Sequence, residues 1–287
     1  MGKNKPNNKI AVLMNENSYA GREYLSNLTD FDADVITVGS FSEFDQEEVK
    51  RCGNLWKPST QENLKKHFKF YNFESLESEE LKNFLKEKKY EICVQGGTDI
   101  LKNEIIKFFS KGILNFHPGD LPRYRGSSAP EWQIFEKNEV ICTCHLIDEG
   151  IDTGDIISKK VLDVDLQSYN FFRASIYPEV AIFVREVLTK IKKDPSTIKN
   201  AVKQSYKAKY RKYIEQEKIL LIDKELKASY RKGQNPLKII DKKVIKAERL
   251  ELVAFSKEHL TERYFSWLNN KEIMKYSDQR FKNHTLE

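Results

Sequence analysis

The sequence predicts an α/β fold with a mostly parallel central sheet. Short apolar runs bounded by polar residues recur at 9–15 (KIAVLMN), 34–39 (DVITVG), 91–97 (EICVQGG) and 113–117 (ILNFH). That is the pattern of strands buried on both faces. Segments with helical spacing lie between them, and a strand–helix alternation is how parallel sheets are assembled.

Taken in order, 9–15 is the first strand and 18–28 (SYAGREYLSNL) the helix that follows it. The strand at 34–39 ends in Gly39. Leu81, Phe84 and Leu85 give 77–90 a helical apolar stripe, and the strand at 91–97 ends in a glycine pair. Residues 103–112 (NEIIKFFSKG) predict a helix closed by Gly112, leading into the strand at 113–117. The rhythm then changes. Residues 139–147 (EVICTCHLI) and 155–164 (DIISKKVLDV) predict two neighbouring strands joined by DEGIDTGD, a loop with two glycines and four acidic residues. Residues 169–193 predict a long helix interrupted by Pro178. From about 195 to 243 the chain is basic and polar, and from 244 a new pattern begins. There is no internal repeat.

Composition bounds the function. At 287 residues, with 39% hydrophobic and 11% aromatic residues, the chain supports one large or two ordinary packed domains and is not a disordered protein. The net charge of +6 is modest and serves solubility or the attraction of an anionic ligand. Cys52, Cys93, Cys142 and Cys144 form no disulfide framework. The Cys142/Cys144 pair has no second pair with which to hold zinc. Free thiols, a polar start and no long apolar run predict a soluble cytoplasmic protein without a membrane segment.

The chemistry concentrates in NFHPGDLPRYRG, residues 115–126. With a two-residue period, Asn115 and His117 share one face of a strand end while Leu114 and Phe116 enter the core. Ligands of parallel sheets bind at such ends. Neither side chain is a strong nucleophile. Together they suit acyl transfer, the amide donating to a developing oxyanion and the imidazole moving a proton. On spacing alone, an Asn and a His satisfying a turn is an equal reading. The second loop adds His145, Asp148, Asp152 and Asp155. A carboxylate beside an imidazole orients it. A calcium or magnesium site competes for this acidic loop, although its spacing departs from that of an EF-hand.

LNFHPGDLPRYRG followed by HLIDEGIDTGDII resembles the family of formyltransferases that use 10-formyltetrahydrofolate. The resemblance spans about residues 9 to 190 and implies a Rossmann-like core. It places Asn115, His117 and Asp152 on the family's catalytic triad. It places Gly96, Gly97, Thr98, Asp99, Ile100 and Leu101 on the loop that holds the pterin ring. Asp148, Glu149, Gly150 and Ile151 fall on the opposite pterin wall. Tyr124, Arg125 and Ser127, beside the triad, are the expected acceptor contacts. The implied formyl donor is 10-formyltetrahydrofolate, and no metal is called for. LPRYRGSSAPEW and the Gln-containing run KNAVKQSYKAKYRKY are similar to the sugar N-formyltransferase branch. The implied acceptor is a nucleotide-linked deoxy-amino sugar of a surface glycan pathway, such as the pseudaminic acid type. A homodimer is compatible with this reading, and neither nucleic acid nor membrane is an expected partner. Methionyl-tRNA formyltransferase, a hydrolase of formyl-folate and a non-catalytic folate or nucleotide module are the alternatives.

Three regions follow: a catalytic domain at 1–195, a basic helical extension at 196–243, and at 244–287 a segment that resembles the start of a GNAT-type acetyltransferase. Trp132 and Phe135 are expected to pack the helix after the catalytic loop, and His67 and His259 to lie at the surface. Lys203, Lys207, Lys209 and Arg211 are expected to form a solvated basic face, or to meet a diphosphate by folding back across the site entrance.

Overall fold

In the computed structural model the chain divides into two compact units, residues 1–238 and 239–287. The structure describes residues 7–16, 18–39, 43–206, 208, 210–237, 245–246, 251–252, 266 and 269–270. Lys207, Lys209, His259 and most of the acetyltransferase-like segment lie outside the described residues.

The first unit holds β1 (Asn7–Asn15), α1 (Tyr19–Ser26), β2 (Ala33–Val38), α2 (Glu43–Arg51), α3 (Gln61–Leu64), β3 (Lys69–Phe73), α4 (Glu79–Lys88) and β4 (Tyr90–Gln95). There follow α5 (Asn103–Ile106), β5 (Ile113–His117), α6 (Ala129–Phe135), β6 (Ile141–Leu146), β7 (Ile156–Val161), α7 (Tyr169–Lys193), α8 (Ser196–Lys199) and α9 (Gln216–Arg231). In the second unit β8 (Ile245–Lys246) pairs antiparallel with β9 (Glu251–Leu252).

Seven strands form one sheet in the order β3-β2-β1-β4-β5-β6-β7. The five from β3 to β5 are parallel, and β6 and β7 are antiparallel additions. Alternate strand residues feed opposite faces, as the pleat requires. Val12, Met14, Leu114 and Phe116 pack with α1 and α7, whereas Ala11, Leu13 and Ile113 pack with Leu81 and Leu85 of α4 and Ile105 of α5. Asn115 and His117 therefore share the α4/α5 face of β5 with Ile113.

Helix α7 runs through Pro178 without interruption, which corrects the sequence expectation. A proline inside a helix costs about 3 kcal/mol. The helix buries Phe172, Ile176, Val180, Phe183, Val184, Val187, Leu188 and Ile191. Each such burial contributes roughly 1.5–3 kcal/mol, so packing outweighs the lost hydrogen bond. The expected helix at 103–112 is regular only over Asn103–Ile106, though Phe109 is buried and Gly112 closes the turn with positive φ. The basic extension is helical at α8 and α9, and between them Val202 bridges to Ile156 and Arg211 to Gly126.

Candidate active site

Antiparallel pairing of β5 and β6 sets Asn115 opposite His145 and His117 opposite Thr143. These four side chains lie on one face, while Cys142 and Cys144 point into the apolar core as buried free thiols. His145 lies near the end of β6, within the strand expected over 139–147 and just before the acidic turn, and its Nε2 is 3.1 Å from Asn115 Nδ2.

That pairing fixes the direction of the Asn115 amide. His145 Nδ1 donates to the Leu146 carbonyl at 2.8 Å, so its Nε2 is the acceptor for one N–H of Asn115. The second N–H of Asn115 is left to point at a ligand. His117 is buried, and its Nε2 donates to the Tyr124 carbonyl at 2.6 Å. Its Nδ1 therefore faces Asp152, 3.6 Å from Oδ1. His145 Nε2 is 3.7 Å from the same oxygen. Both separations exceed hydrogen-bond length. Asp152 Oδ2 accepts from the Gly126 N–H at 3.0 Å. Burial opposes a charge on Asp152, but His117, His145 and the Gly126 N–H outweigh it and hold the carboxyl down at about 2. The carboxylate is thus ionised throughout the neutral range.

The turn after β5 is built for this arrangement. A Cβ on Gly119 would collide with the His117 ring and the Tyr124 carbonyl. Thr143 Oγ1 donates to the Gly119 carbonyl at 2.6 Å and accepts from the Leu121 N–H at 3.2 Å. The fully buried Gln133 accepts from the Asp120 N–H at 3.2 Å and donates to the Pro118 carbonyl at 3.1 Å. Gly126 has φ +96°, a conformation that favours glycine and that aims its N–H at Asp152.

Two clefts reach this cluster. One, of about 420 Å³, is lined by Asn115, His145, Asp148, Gly150 and Asp152 together with Gln95, Ile147 and the apolar Ile100, Leu101 and Ile151. Ile100 is 69% and Ile151 44% exposed. Gly96 and Gly97 tie β4 to β1: the Gly96 N–H donates to the Leu13 carbonyl, and the Gly97 carbonyl accepts from Asn15. Thr98 bonds Gln95 and the Asp99 carbonyl. Glu149 accepts from Asn103 at the outer edge, joining the loops that carry the two walls.

The second cleft, of about 630 Å³, is lined by His117, Gly126, Ser127, Glu131, Arg173 and Tyr177, among others. Beneath it lies a buried charge network. Glu131, with 0% exposure, accepts through Oε1 from Arg51 at 2.8 Å and Tyr169 at 3.0 Å, and pairs with Arg173 Nη1 at 3.3 Å. Glu48 pairs with Arg173 and, at 3.1 Å, with Arg51. Burial would raise the Glu48 carboxyl, but Arg173 and Arg51 bring it below its ordinary value.

Of the expected acceptor contacts, Ser127 lines this second cleft and bonds the Tyr210 hydroxyl at 3.1 Å. Tyr124 is buried, its hydroxyl donating to Glu136 at 2.7 Å. Arg125 is also buried, and its guanidinium donates to the Ala208 carbonyl at 3.4 Å. Ala208 and Arg211 hold them, the first by accepting from Arg125 and the second by lying over the Tyr124 ring. Trp132 and Phe135 pack edge to face as expected, and Arg211 lies over the rings of Tyr124 and Trp132 rather than on a solvated face. Among the described residues, no helix is long and apolar enough to cross a membrane.

A mostly parallel sheet with an Asn–His–Asp cluster at the end of β5 defines an α/β group-transfer fold. The Formyl transferase family profile matches residues 8–170, more than half of the chain, and the chain belongs to that family. It is 34% identical over 106 residues to the methionyl-tRNA formyltransferase of Caldanaerobacter subterraneus subsp. tengcongensis, a match covering 35% of this chain and 33% of that protein. The methionyl-tRNA formyltransferase of Thermodesulfovibrio yellowstonii is 34% identical over 89 residues, 29% of each chain. The chain thus spans about a third of the length of these curated relatives. In fold it is similar to a 4-N formyltransferase from Francisella tularensis, with a TM-score of 0.50 and 20% identity over 77% of this chain and 87% of that one.

Proposed function

We propose that the protein is an N-formyltransferase that moves a formyl group from 10-formyltetrahydrofolate to the amine of a nucleotide-linked deoxy-amino sugar. The observation that carries this reading is the Asn115–His145 pair beside the His117–Asp152 pair, at the meeting of two clefts. A two-substrate transfer needs that layout. Ile100 and Ile151 offer apolar surface to a flat heterocycle in the first cleft, and the second admits a polar acceptor beside His117.

The uncharged amine attacks the formyl carbon. The free N–H of Asn115 donates to the oxygen as it becomes anionic, a contribution worth about 10²–10³ in rate where such donors have been removed from enzymes. The proton lost by the nitrogen passes to His117 Nδ1, where it faces Asp152. It then goes to the folate nitrogen as the carbon–nitrogen bond to the donor breaks. Asp152 is already ionised, so it orients and compensates the imidazole and does not itself take the proton.

Incubation with formyl-folate and a panel of nucleotide-linked amino sugars tests the reading, with a product heavier by one formyl group expected for at least one sugar. The curated relatives favour a second acceptor, methionyl-tRNA. Their matches cover a third of the chain or little more, which supports shared chemistry better than a shared acceptor. Formylation of charged initiator tRNA, with every sugar left untouched, would select it. Residues 244–287 are read as the start of an acetyltransferase fold, and a chain ending at Lys243 is expected to keep formyl transfer.

A further inference from the structure

The extended segment after α8 touches the catalytic carboxylate's surroundings at two separate points. At the first, Val202 and Ile156 exchange backbone hydrogen bonds of 2.8 Å. This brings Gln204 over the acidic turn, and its Nε2 donates to the carbonyls of Asp152 and Gly154, both at 2.9 Å. At the second, the Arg211 N–H donates to the Arg125 carbonyl at 2.8 Å and the Ser127 N–H to the Arg211 carbonyl at 2.9 Å. Arg211 thus brackets Gly126, the residue whose N–H holds Asp152 Oδ2.

Asp152 needs such support. Its φ is +53°, a left-handed conformation that side-chain-bearing residues adopt at a cost and keep where their surroundings over-determine it. Released from it, the residue would relax and its Oδ1 would leave the position between His117 Nδ1 and His145 Nε2. The turn's own bonds do not reach Asp152: Asp148 Oδ1 accepts from Gly150 and Thr153. Support for the Asp152 main chain comes from Gln204, about fifty residues further along.

We infer that residues 202–206 and 210–211 form a strap that sets the catalytic carboxylate, and that Gln204 is a positioning residue acting through Asp152. The strap fixes the main chain of Asp152 at one end and, through Gly126, its carboxylate at the other. Gln204 touches no reacting atom; its amide is needed for its donors rather than for its bulk.

This inference rests on the formyl-transfer reading for its kinetic test, so a measurement without substrate accompanies it. Gln204→Met keeps the length of the side chain and removes the amide, and Gln204→Ala removes both. Both variants are expected to lower kcat by about ten- to a hundredfold, a part of the 10²–10⁴ ascribed to placed proton-transfer groups. KM for either substrate should stay within about threefold. In an Asp152→Asn background Gln204→Met should cost nothing further, as expected of two residues acting as one unit. Without substrate, the imidazole ¹⁵N resonances of His117 and His145 should move in Gln204→Met and stay in place when that change is added to Asp152→Asn. Wild-type kcat in Gln204→Met, unmoved imidazole resonances, or full additivity with Asp152→Asn would each overturn the strap. If the wild-type protein formylates nothing while the imidazole resonances respond as described, the formyl-transfer reading falls and the strap stands.

Discussion

The two clefts that reach the Asn115, His117 and Asp152 cluster are built from different materials. The one beside Asn115 has walls of turn backbone and exposed aliphatic side chains, with Ile100 and Ile151 at its mouth. The one beside His117 rests on the buried Glu48, Glu131 and Arg173 and the half-buried Arg51, drawn from α2, α6 and α7. On the proposed reading the first takes a donor of fixed chemistry and the second an acceptor that has to be told apart from its relatives. A flat ring is satisfied by apolar surface. A hydroxylated acceptor is discriminated by polar groups whose directions are locked before it arrives. The contrast also predicts where stability resides, because the charged floor is part of the core and the aliphatic walls are not.

The largest effects should come from the cluster both clefts share. His117→Asn or Asp152→Asn should lower kcat by about 10²–10⁴ with the fold unchanged by circular dichroism. Near-normal turnover in both would remove the cluster from the chemistry and leave the clefts unconnected. Next is the charged floor beside His117. Glu131→Ala leaves Glu48 to balance both Arg51 and Arg173, and the loss of a buried partner typically costs about 3–5 kcal/mol, read as a lower urea midpoint. A change of less than about 1 kcal/mol would show that water replaces the carboxylate and that the floor is not core.

A smaller effect concerns acid. The Asp152 carboxyl sits at about 2 in the folded protein, below its ordinary value of 3.8. A depressed carboxyl adds stability that is complete above the unfolded-state value and is lost as the pH falls from about 4 towards 2. The amount is on the order of 2 kcal/mol. Asp152→Asn should flatten that part of the stability curve. The smallest effects belong to the donor walls. Ile100→Ala and Ile151→Ala should each raise KM for formyl-folate by roughly fivefold, about 1 kcal/mol of lost apolar contact, and leave KM for the acceptor unchanged. Unfolding free energy should move by less than about 0.5 kcal/mol. Equal changes in the two KM values would break the division of labour between the clefts.

The legible parts of this chain are those where local pattern and tertiary role coincide. The strands at 9–15 and 91–97 read as buried because both faces are buried, and Asn115 and His117 read as a pair because β5 alternates. The strand Lys69–Phe73 did not read, since it is a half-exposed edge with no continuous apolar run. Helix α2 escaped for a related reason. Its buried anchor is Glu48, a charge compensated by Arg173 from 125 residues away, and no local spacing announces that. The pairing of Asn115 with His145 depends on antiparallel register rather than on motif. The motif drew attention to Tyr124 and Arg125 as neighbours of the site, but the segment around Ala208 and Arg211 buries them. Gln204 carried a faint signal as the Gln ahead of a basic-aromatic run, without any indication of what it would hold.

The double engagement of Gly126 has a consequence for the order in which the protein becomes competent. Chains are made from the amino terminus, and Asn115, His117, His145 and Asp152 all leave the ribosome before residue 204. A nascent chain of about 170 residues holds β1 to β7 but lacks α7, which covers one face of the sheet, and nothing in it flanks Gly126 or caps the turn at Asp152. The carboxylate acquires its setting when Arg211 pairs beside Gly126. On the proposed reading, competence is thereby a late step of synthesis, and an unfinished chain carries the cluster's residues without its geometry.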